Sequence, residues 1–481
     1  MKEQVKGKTN SVWNLFRVLG INYLLFGLTI YFVYVMNRPF APDFVIAFYV
    51  VLLLLFCGFG LAIYFISPSV AQSRKSLCVV CCIMLVSYGM ILTIAHGIDL
   101  YLAPFALCAL LVSLLVNVRI SYFSNIYLVL IYFIGELMFR VGEVSLETSV
   151  YTLVNGFLVS IIAGYVGKKH LRRLSYLTVG CFMSLCSVFC AYATHYMFGW
   201  SSDDIAILFM GLNAFSGNFF NIGLFFLLAP LFEKVFNLVT DFRLAELAST
   251  DHPLLRKLFN EAPGTYNHSL VVANYAEACA AAIGEDVFLA RAAGYYHDIG
   301  KLKNPQYFAE NQVDGYNPHD EITPDLSVSF IKKHTLNGYV LAQEYHLPEE
   351  IQDVILEHHG TMPIKYFYLK AKKYTEGELS EEDFRYDGPT PHTKIAAIIM
   401  ICDTCEAALR TLKADEKYKA KALIQNLIRE RLLYDQFNDC NITMKELNTI
   451  SNVIASAYLG VSHQRIKYQD QKEMEREKDE N

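Results

Sequence analysis

An apolar helical run in the C-terminal half of the chain ends in Gly294-Tyr295-Tyr296-His297-Asp298-Ile299-Gly300-Lys301. A helix that ends in His-Asp can offer the neutral imidazole of His297 to one metal ion, and the Asp298 carboxylate can bridge that ion to a second one. Gly300 is expected to let the backbone leave the helix in the left-handed region. Lys301 follows as a cation near any phosphate that the metals bind. The segment as a whole therefore predicts a metal site, which the His-Asp dipeptide alone would not.

Composition separates a membrane part from a soluble part. The 481 residues are 54% hydrophobic and 18% charged, and soluble domains usually carry more charge. The apolar excess ends near Phe232. The net charge of −6 is spread along the chain, which argues against binding to a nucleic-acid polymer. The twelve cysteines lie in apolar spans or in the polar half, so no disulfide framework is expected. Cys78, Cys81 and Cys82 have a zinc-like spacing, but their apolar surroundings favour small membrane-helix residues.

Residues 1–232 are predicted to form a transmembrane domain of about eight helices. A spanning helix needs about 20 mostly apolar residues, and the candidate segments are residues 18–36, 44–66, 77–95, 100–116, 122–138, 148–166, 176–198 and 205–232. Basic residues fall on every second boundary, at Arg74 and Lys75, at Arg119 and at residues 168–173. The positive-inside rule therefore predicts that both termini are cytoplasmic. The alternative for the short fourth and fifth segments is a re-entrant pair, and losing both leaves the sides of the termini unchanged.

Polar residues inside the spans have two readings. Glu136 and Arg140 are four residues apart, which favours an interfacial ion pair over a ligand site. Gly211, Ala214, Asn218 and Asn221 share one face of the last span, and that pattern predicts a helix-packing seam.

The polar half is predicted to be helical throughout. Residues 233–250 should continue the last membrane helix as a connecting helix, and residues 251–463 should form an all-α domain. Thr265 is the expected N-cap of one of its helices. Residues 464–481 form a charged tail that is predicted to be disordered.

Further candidate ligands lie on separate helices of this domain. Beside His297 and Asp298 they are His268, His334, His358, His359 and Asp403. Asp403 follows an apolar helical stretch, where a carboxylate is costly to bury unless it is paired or bound to a metal. Each histidine alone is more often an ordinary helix-end residue. Together, five histidines and two aspartates suffice for two metal ions with open positions.

The motifs resemble those of the seven-transmembrane HD-domain phosphohydrolases, the bacterial cyclic di-AMP phosphodiesterases of the PgpH type. The resemblance covers nearly the whole chain and is carried by residues 262–269, 295–301, 310–312, 317–320, 357–361 and 365–372 and by Asp403. It implies a polytopic helical bundle in the bacterial inner membrane, followed by a cytoplasmic HD (HDIG) domain. It also implies that a dinuclear iron or manganese site is held by His268, His297, Asp298, His334, His358, His359 and Asp403.

Three features differ from relatives. Members of the family usually carry a large extracellular domain between the first span and the next seven, whereas only residues 37–43 lie there in this chain. Asn267 stands where many members have a second histidine beside the ligand. Because the ligand His268 itself is kept, we expect changed tuning of the metal site and retained activity. The related cyclic di-GMP enzymes carry Gly-Tyr-Pro after their histidine pair, and Gly360-Thr361-Met362-Pro363 argues against that substrate.

The resemblance therefore implies a hydrolase that cleaves cyclic di-AMP to linear pApA. Asp298 should bridge the metals and a water that is converted to hydroxide. Lys301 either adds a cation at the phosphate or is a solvated helix-end residue. Lys370 and the tyrosines Tyr366 and Tyr368 are candidate substrate contacts, with core packing as the alternative for the tyrosines. The expected partners are the cyclic dinucleotide and membrane lipid, and a homodimer is left open. Alternative functions are a nucleotide sensor without turnover and a phosphohydrolase of another phosphoester.

Overall fold

The computed structural model describes residues 2–35, 42–140, 145–166, 173–198, 203–312, 316–374 and 379–461. Within these ranges the chain consists of helices and connecting segments, with one isolated bridge between Pro363 and Arg385. The predicted all-α fold class is confirmed. The chain forms two compact units, Met1–Thr240 and Asp241–Asn481, and their boundary lies inside the predicted connecting segment 233–250. The predicted tail, residues 464–481, lies outside the described residues.

The first unit holds the apolar helices. Its α-helices in the described ranges are α1 (Lys2–Ile30), α2 (Pro42–Ile66), α3 (Pro68–Gln72), α4 (Arg74–Gly97), α5 (Leu107–Leu115), α6 (Val118–Phe139), α7 (Leu146–Val166), α8 (Arg173–Phe198) and α9 (Asp204–Phe236). Seven described helices are long and apolar enough to cross a membrane. The sequence predicts eight crossings, and the difference lies at the candidate segment 100–116.

This fourth segment is broken by a proline. Leu100–Leu102 form a 3-10 turn, and Ala103 is extended because Pro104 after it disfavours helical backbone. The 9 residues of α5 rise only about 14 Å, less than half of a bilayer's hydrocarbon core. The α5 side chains are almost all buried, and the helix packs against α6, α7 and α9. Irregular backbone is tolerated at membrane depth where protein covers it, and Asn125 Nδ2 donates a hydrogen bond to the Phe105 carbonyl over 2.7 Å.

The first unit begins and finishes at the same end of its bundle. Arg17 of α1 and Arg74 of α4 line one groove, and Lys75 Nζ donates to the carbonyl oxygen of Asn237, just after α9, over 2.8 Å. A chain that starts and finishes at one end crosses an even number of times. The seven long helices of the described ranges give an odd number, so the eighth crossing, by residues 99–117, stays a prediction of the sequence. α6 is itself a full-length span, so the re-entrant pair is not formed.

Glu136 forms more contacts than the sequence predicts. Arg140 Nη1 lies 3.1 Å from Glu136 Oε2, which confirms the predicted ion pair. The Tyr34 hydroxyl donates to Glu136 Oε1 over 2.6 Å, and His96 Nε2 lies 2.6 Å from the same atom. The buried carboxylate therefore ties α4 and α6 to the π-helical turn Tyr31–Val35 that follows α1.

The predicted packing seam on α9 is confirmed as a chain of hydrogen bonds. Asn218 Nδ2 donates to Ser187 Oγ over 2.8 Å, and Ser187 Oγ donates to Asn155 Oδ1 over 2.7 Å. These three buried residues belong to α9, α8 and α7. Such interhelical bonds stabilise packing where water is absent.

The predicted continuous connecting helix is wrong. α9 ends at Phe236, and Asn237 has a φ of 44°, in the left-handed region. Asparagine tolerates this conformation better than most residues and often ends helices. A separate helix, α10 (Asp241–Leu247), then begins the second unit.

The second unit is a helical domain built around one buried helix. Its other described α-helices are α11 (Pro253–Glu261), α12 (Pro263–Ile283), α13 (Val287–Tyr296), α14 (Pro324–Glu344), α15 (Glu349–Glu357), α16 (Lys365–Tyr374), α17 (Lys394–Leu409), α18 (Ala420–Leu433) and α19 (Met444–Val461). α17 is central, since its residues from Ile395 to Asp403 are all buried and it packs against α12, α13, α15, α18 and α19. α17 therefore brings Asp403 into the domain interior.

Candidate metal centre

The structure brings all seven candidate ligands together. Among the described residues, two groups have ligand atoms that lie within 4.8 Å of one another: Asp298, His334, His358 and His359 in one, and His268, His297, Asp298 and Asp403 in the other. Asp298 belongs to both groups. The side chains come from α12, from the C-terminal ends of α13 and α15, and from the middle of α14 and α17. This geometry is what a carboxylate bridge between two ions requires.

Three of the imidazoles are oriented by their own helices. The Nδ1 atoms of His297, His334 and His358 lie 2.8, 2.6 and 2.9 Å from the carbonyl oxygens of Gly294, Ile331 and Ile355, each three residues earlier. A neutral histidine that donates from Nδ1 presents an unprotonated Nε2, which is the form that binds a metal. The Nε2 atoms of His334 and His358 face each other at 3.3 Å. Two such lone pairs repel each other unless a cation lies between them.

The Asp298 carboxylate lacks hydrogen-bond partners among the described residues. Asp298 is 1% exposed, and among the described residues neither of its oxygens accepts a hydrogen bond; the same holds for His297 Nε2. Lys301 Nζ lies 2.7 Å from Asp298 Oδ2 as an ion pair without hydrogen-bond geometry. Buried polar atoms in folded proteins nearly always have a partner. The unpaired atoms, together with the nitrogen and carboxylate donors around them, fit a site for divalent transition metals.

His268 is held from its other side by a glutamate that the sequence reading missed. Its Nε2 lies 2.9 Å from Asp403 Oδ1, and its Nδ1 lies 2.5 Å from Glu406 Oε2. Arg410 pairs with Glu406 in turn. A carboxylate behind a ligand histidine fixes its orientation and increases its basicity. Glu406 could have been found, since it follows Asp403 by one helical turn and so shares its face of α17.

Lys301 is not a solvated helix-end residue. Its ammonium lies 2.8 Å from Glu310 Oε1, and its side chain is 12% exposed. Burial alone would lower its pKa, but Asp298 and Glu310 outweigh burial and raise it above the ordinary lysine value. The lysine therefore stays charged and holds Asp298 in place. Glu310 is a second residue that the sequence reading did not assign.

The pKa shifts favour the metal-binding states of His334, His359 and Asp298 and the protonated state of His297. Burial lowers the pKa of His334 to about 3 and that of His359 well below its ordinary value, so both imidazoles are neutral. Burial would raise the pKa of Asp298, but Lys301 and His297 outweigh it and hold the pKa well below the usual range. Burial alone would lower the pKa of His297, but the Asp298 carboxylate outweighs burial and raises this pKa to about 10. Metal binding there must displace a proton and is expected to weaken as pH falls.

Two glycines allow close backbone contacts at the site. Gly300 is not in the left-handed region that the sequence suggested; it lies in the 3-10 helix Ile299–Lys303. A Cβ at Gly300 would lie 1.9 Å from the carbonyl oxygen of His334, and one at Gly264 would lie 1.9 Å from that of Glu310. Gly300 is therefore required because the backbone after Asp298 packs directly on α14.

Thr265 is not the N-cap of its helix. α12 begins at Pro263, with Ala262 as N-cap, because proline suits the first helical position. The Thr265 amide donates to Asn311 Oδ1 over 3.1 Å, and its hydroxyl donates to Glu310 Oε1 over 3.1 Å. Thr265 therefore fastens the first turn of α12, next to His268, to the segment that carries Glu310.

A cavity of about 650 Å³ opens above the ligands and includes Lys301, His334, His359 and Asp403 in its wall, a size typical of small-molecule sites. Tyr366 lines it and is 63% exposed. Tyr368 and Lys370 do not line it. Tyr368 packs its ring 5.7 Å from that of Phe384, as the core-packing alternative predicts, and Lys370 Nζ lies 3.0 Å from Asp320 Oδ1.

Tyr386 is a cavity residue with no clear sequence signal. Its ring stacks on that of His359, with centroids 4.2 Å apart and an interplanar angle of 19°. Burial raises its pKa above the ordinary tyrosine value, so its hydroxyl stays protonated and can donate a hydrogen bond into the cavity.

Both units are similar to known proteins. The model described as a 7TM receptor with intracellular HD hydrolase matches residues 13–240, and the HD domain model matches residues 265–408. The chain is 38% identical over 376 residues to the cyclic-di-AMP phosphodiesterase PgpH of Bacillus subtilis (strain 168), covering 76% of this chain and 51% of that protein. It is 36% identical over 373 residues to PgpH of Listeria monocytogenes serotype 1/2a (strain 10403S), covering 78% and 51%.

A solved structure is also similar to part of the chain. The L. monocytogenes PgpH HD domain in complex with cyclic-di-AMP is 45% identical, with 44% of this chain and 99% of that one covered and a TM-score of 0.43. The chain spans about half the length of the curated relatives it matches. With the seven apolar helices, the two family-model matches show that the chain is a multi-pass membrane protein whose residues 13–240 are similar to 7TM receptors with an intracellular HD hydrolase and whose residues 265–408 match the HD domain.

Proposed function

We propose that this chain is a membrane-anchored, metal-dependent phosphodiesterase that hydrolyses cyclic di-AMP to linear pApA. The observation that carries the proposal is the position of Asp298, whose carboxylate belongs to both groups of ligand atoms and accepts no hydrogen bond among the described residues. The relatives at 38% and 36% identity are named cyclic-di-AMP phosphodiesterases. A sensor without turnover is disfavoured because all seven expected metal-ligand residues are present in the chain.

The residues divide into ligands and positioning groups. Two divalent ions, of iron or manganese, would supply hydroxide at neutral pH and neutralise charge on the phosphate. His268, His297 and Asp403 are assigned to one ion and His334, His358 and His359 to the other, with Asp298 shared. Lys301 acts as a positioning residue, because Asp298 and Glu310 already engage its ammonium. Glu406 is also a positioning residue, because its carboxylate binds Nδ1 of His268 and orients that ligand.

A panel of substrates tests the proposal. The full chain, purified in detergent and loaded with manganese or iron, is assayed with cyclic di-AMP, cyclic di-GMP and a generic aryl phosphodiester. We expect cyclic di-AMP to be cleaved with the highest kcat/KM and pApA to be the product. Tight binding of cyclic di-AMP without cleavage would establish the sensor instead. Preference for the generic ester would establish a phosphohydrolase of another phosphoester.

Tyr366 and Tyr368 form a matched pair for testing contact with the base. Stacking of a base on an aromatic ring contributes about 1–3 kcal/mol, so Tyr366→Ala should raise KM for cyclic di-AMP about tenfold with little change in kcat, and Tyr366→Phe should restore it. Tyr368→Ala removes packing on Phe384 and should lower the Tm without changing KM. Equal KM values for the two alanine variants would rule out Tyr366 as a stacking platform.

The second unit is proposed to lie in the cytoplasm, as the basic boundaries predict. The structure supports this because Arg74 and Lys75 lie at the bundle end where the chain leaves α9. Reporter fusions after Lys75, Arg173 and Lys303 should report the cytoplasm, and fusions after Asp43, Asp99 and Asp204 the outside. If the fusions after Asp99 and Arg119 reported the same side, residues 99–117 would not cross. An external signal after Lys303 would contradict the proposed location.

A further inference from the structure

An apolar groove with a basic mouth lies between α1 and α4 of the first unit. It has a volume of about 310 Å³, and its wall includes Arg17, Asn22 and Leu25 of α1 and Arg74 and Leu85 of α4. It is remote in sequence from the metal ligands and takes no part in the proposed catalysis. It lies at the bundle end where the chain leaves α9, since Arg74 adjoins Lys75.

The two arginines at the mouth are available to a ligand. Both are exposed, and among the described residues neither has an ion pair or hydrogen bond. None of the described residues that line the groove is acidic. Arginine binds phosphate through two parallel N–H groups, and a basic site between membrane helices favours anionic lipid headgroups. A headgroup that also carries an amine would find no carboxylate there.

A buried amide lies deeper in the groove. Asn22 is 2% exposed, and its Nδ2 donates no hydrogen bond within the described part of the chain. An amide without a partner is costly at membrane depth. Asn22 lies about 7.5 Å further along α1 than Arg17, from the rise of a helix. A phospholipid presents ester carbonyls below its phosphate, and such a carbonyl would supply the missing acceptor.

The three cysteines with zinc-like spacing line the same groove. Cys78, Cys81 and Cys82 lie on one face of α4, followed by Leu85. Both groups of described residues with metal-ligand geometry are in the second unit, so these cysteines are not among them. Their small side chains leave the space open, and Val18, Ile21 and Leu25 form the facing apolar wall. That wall suits an acyl chain.

We propose that this groove binds one anionic phospholipid, with its phosphate on Arg17 and Arg74, an ester carbonyl on Asn22 and an acyl chain against the cysteine face of α4. The proposal is independent of the catalytic assignment, because none of its residues contributes to the metal centre. It gives the first unit a specific lipid ligand in addition to the general solvation of its surface.

The test is native mass spectrometry of the purified full chain with phosphatidylglycerol, phosphatidylcholine or glycerol 3-phosphate as probes. We expect one phosphatidylglycerol to be retained, about tenfold more than phosphatidylcholine. Arg17→Gln with Arg74→Gln should abolish this preference. The matched control Arg119→Gln removes an exposed arginine outside the groove and should leave it unchanged. Glycerol 3-phosphate should compete poorly because it has no acyl chain.

A second variant tests the apolar part without altering charge. Cys82 is exposed and lines the groove, so Cys82→Phe should fill the space and reduce retention of phosphatidylglycerol about tenfold while the chain stays folded. Unchanged preference in the double arginine variant would overturn the proposal, as would equal retention of phosphatidylcholine. Competition by glycerol 3-phosphate at equal concentration would instead identify a site for soluble phosphates, which also overturns it.

Discussion

Asp298→Ala is expected to abolish hydrolysis of cyclic di-AMP and to release both metal ions while the second unit stays folded. Asp298 is the one residue common to both groups of ligand atoms in the described chain, so its loss weakens both ion sites at once. We expect kcat to fall on the order of a thousandfold, as for other essential groups. Activity, metal content by mass spectrometry and far-UV circular dichroism are measured on the same sample.

Two control variants make this result specific. Asp298→Asn keeps the side-chain volume but removes the charge and one of the two bridging oxygens, so it should behave like Asp298→Ala. Asp325→Ala removes an exposed carboxylate in the first turn of α14 and should retain full activity. If Asp298→Ala kept more than about a tenth of the wild-type rate, the shared-carboxylate assignment would be wrong.

Gly300→Ala is expected to damage the site through the backbone. The new Cβ would lie 1.9 Å from the His334 carbonyl oxygen and 2.4 Å from the Gly338 amide nitrogen, so α14 must move away and carry the His334 ligand with it. Overpacking usually costs about 1–3 kcal/mol, and more where backbone blocks relaxation. We expect the Tm to fall by about 5–10 °C and the metal affinity to fall with it.

Gly460→Ala is the matched control for this change. Gly460 lies in α19, and a Cβ there would meet no atom within 4 Å. Its Tm should stay the same or rise slightly, since alanine favours helices more than glycine does. A Gly300→Ala protein with wild-type Tm and metal content would show that the close packing of Gly300 on α14 is not required.

The ligands could be predicted from the sequence because each follows or interrupts an apolar helical run. Burying a histidine or an aspartate on a helix is costly unless the side chain binds a partner. For Asp298 and Asp403 the expected partner is a metal site that several helices form together. The role of Glu310, by contrast, could not be assigned from the sequence. Glu310 lies in an irregular segment without periodicity, and it reaches Lys301 only after the segment folds back over α12.

Single residues account for most of the differences in the fold. Pro104 breaks the fourth span, and Asn237 ends α9 in a left-handed turn where the apolar pattern alone favours continuation. The choice between Tyr366 and Tyr368 also lay beyond the sequence. The two residues are two positions apart on α16, so they face different directions, and only packing decides which of them meets the cavity.

A metal titration tests the central claim most directly. The full chain is stripped of metal and reloaded with manganese, and hydrolysis of cyclic di-AMP is measured against bound metal per chain. Two ions that share Asp298 predict little activity up to one equivalent and a rise that saturates at two, with pApA as the product. Full activity at one equivalent, or cyclic di-AMP that is bound but not cleaved at two, would contradict a dinuclear phosphodiesterase.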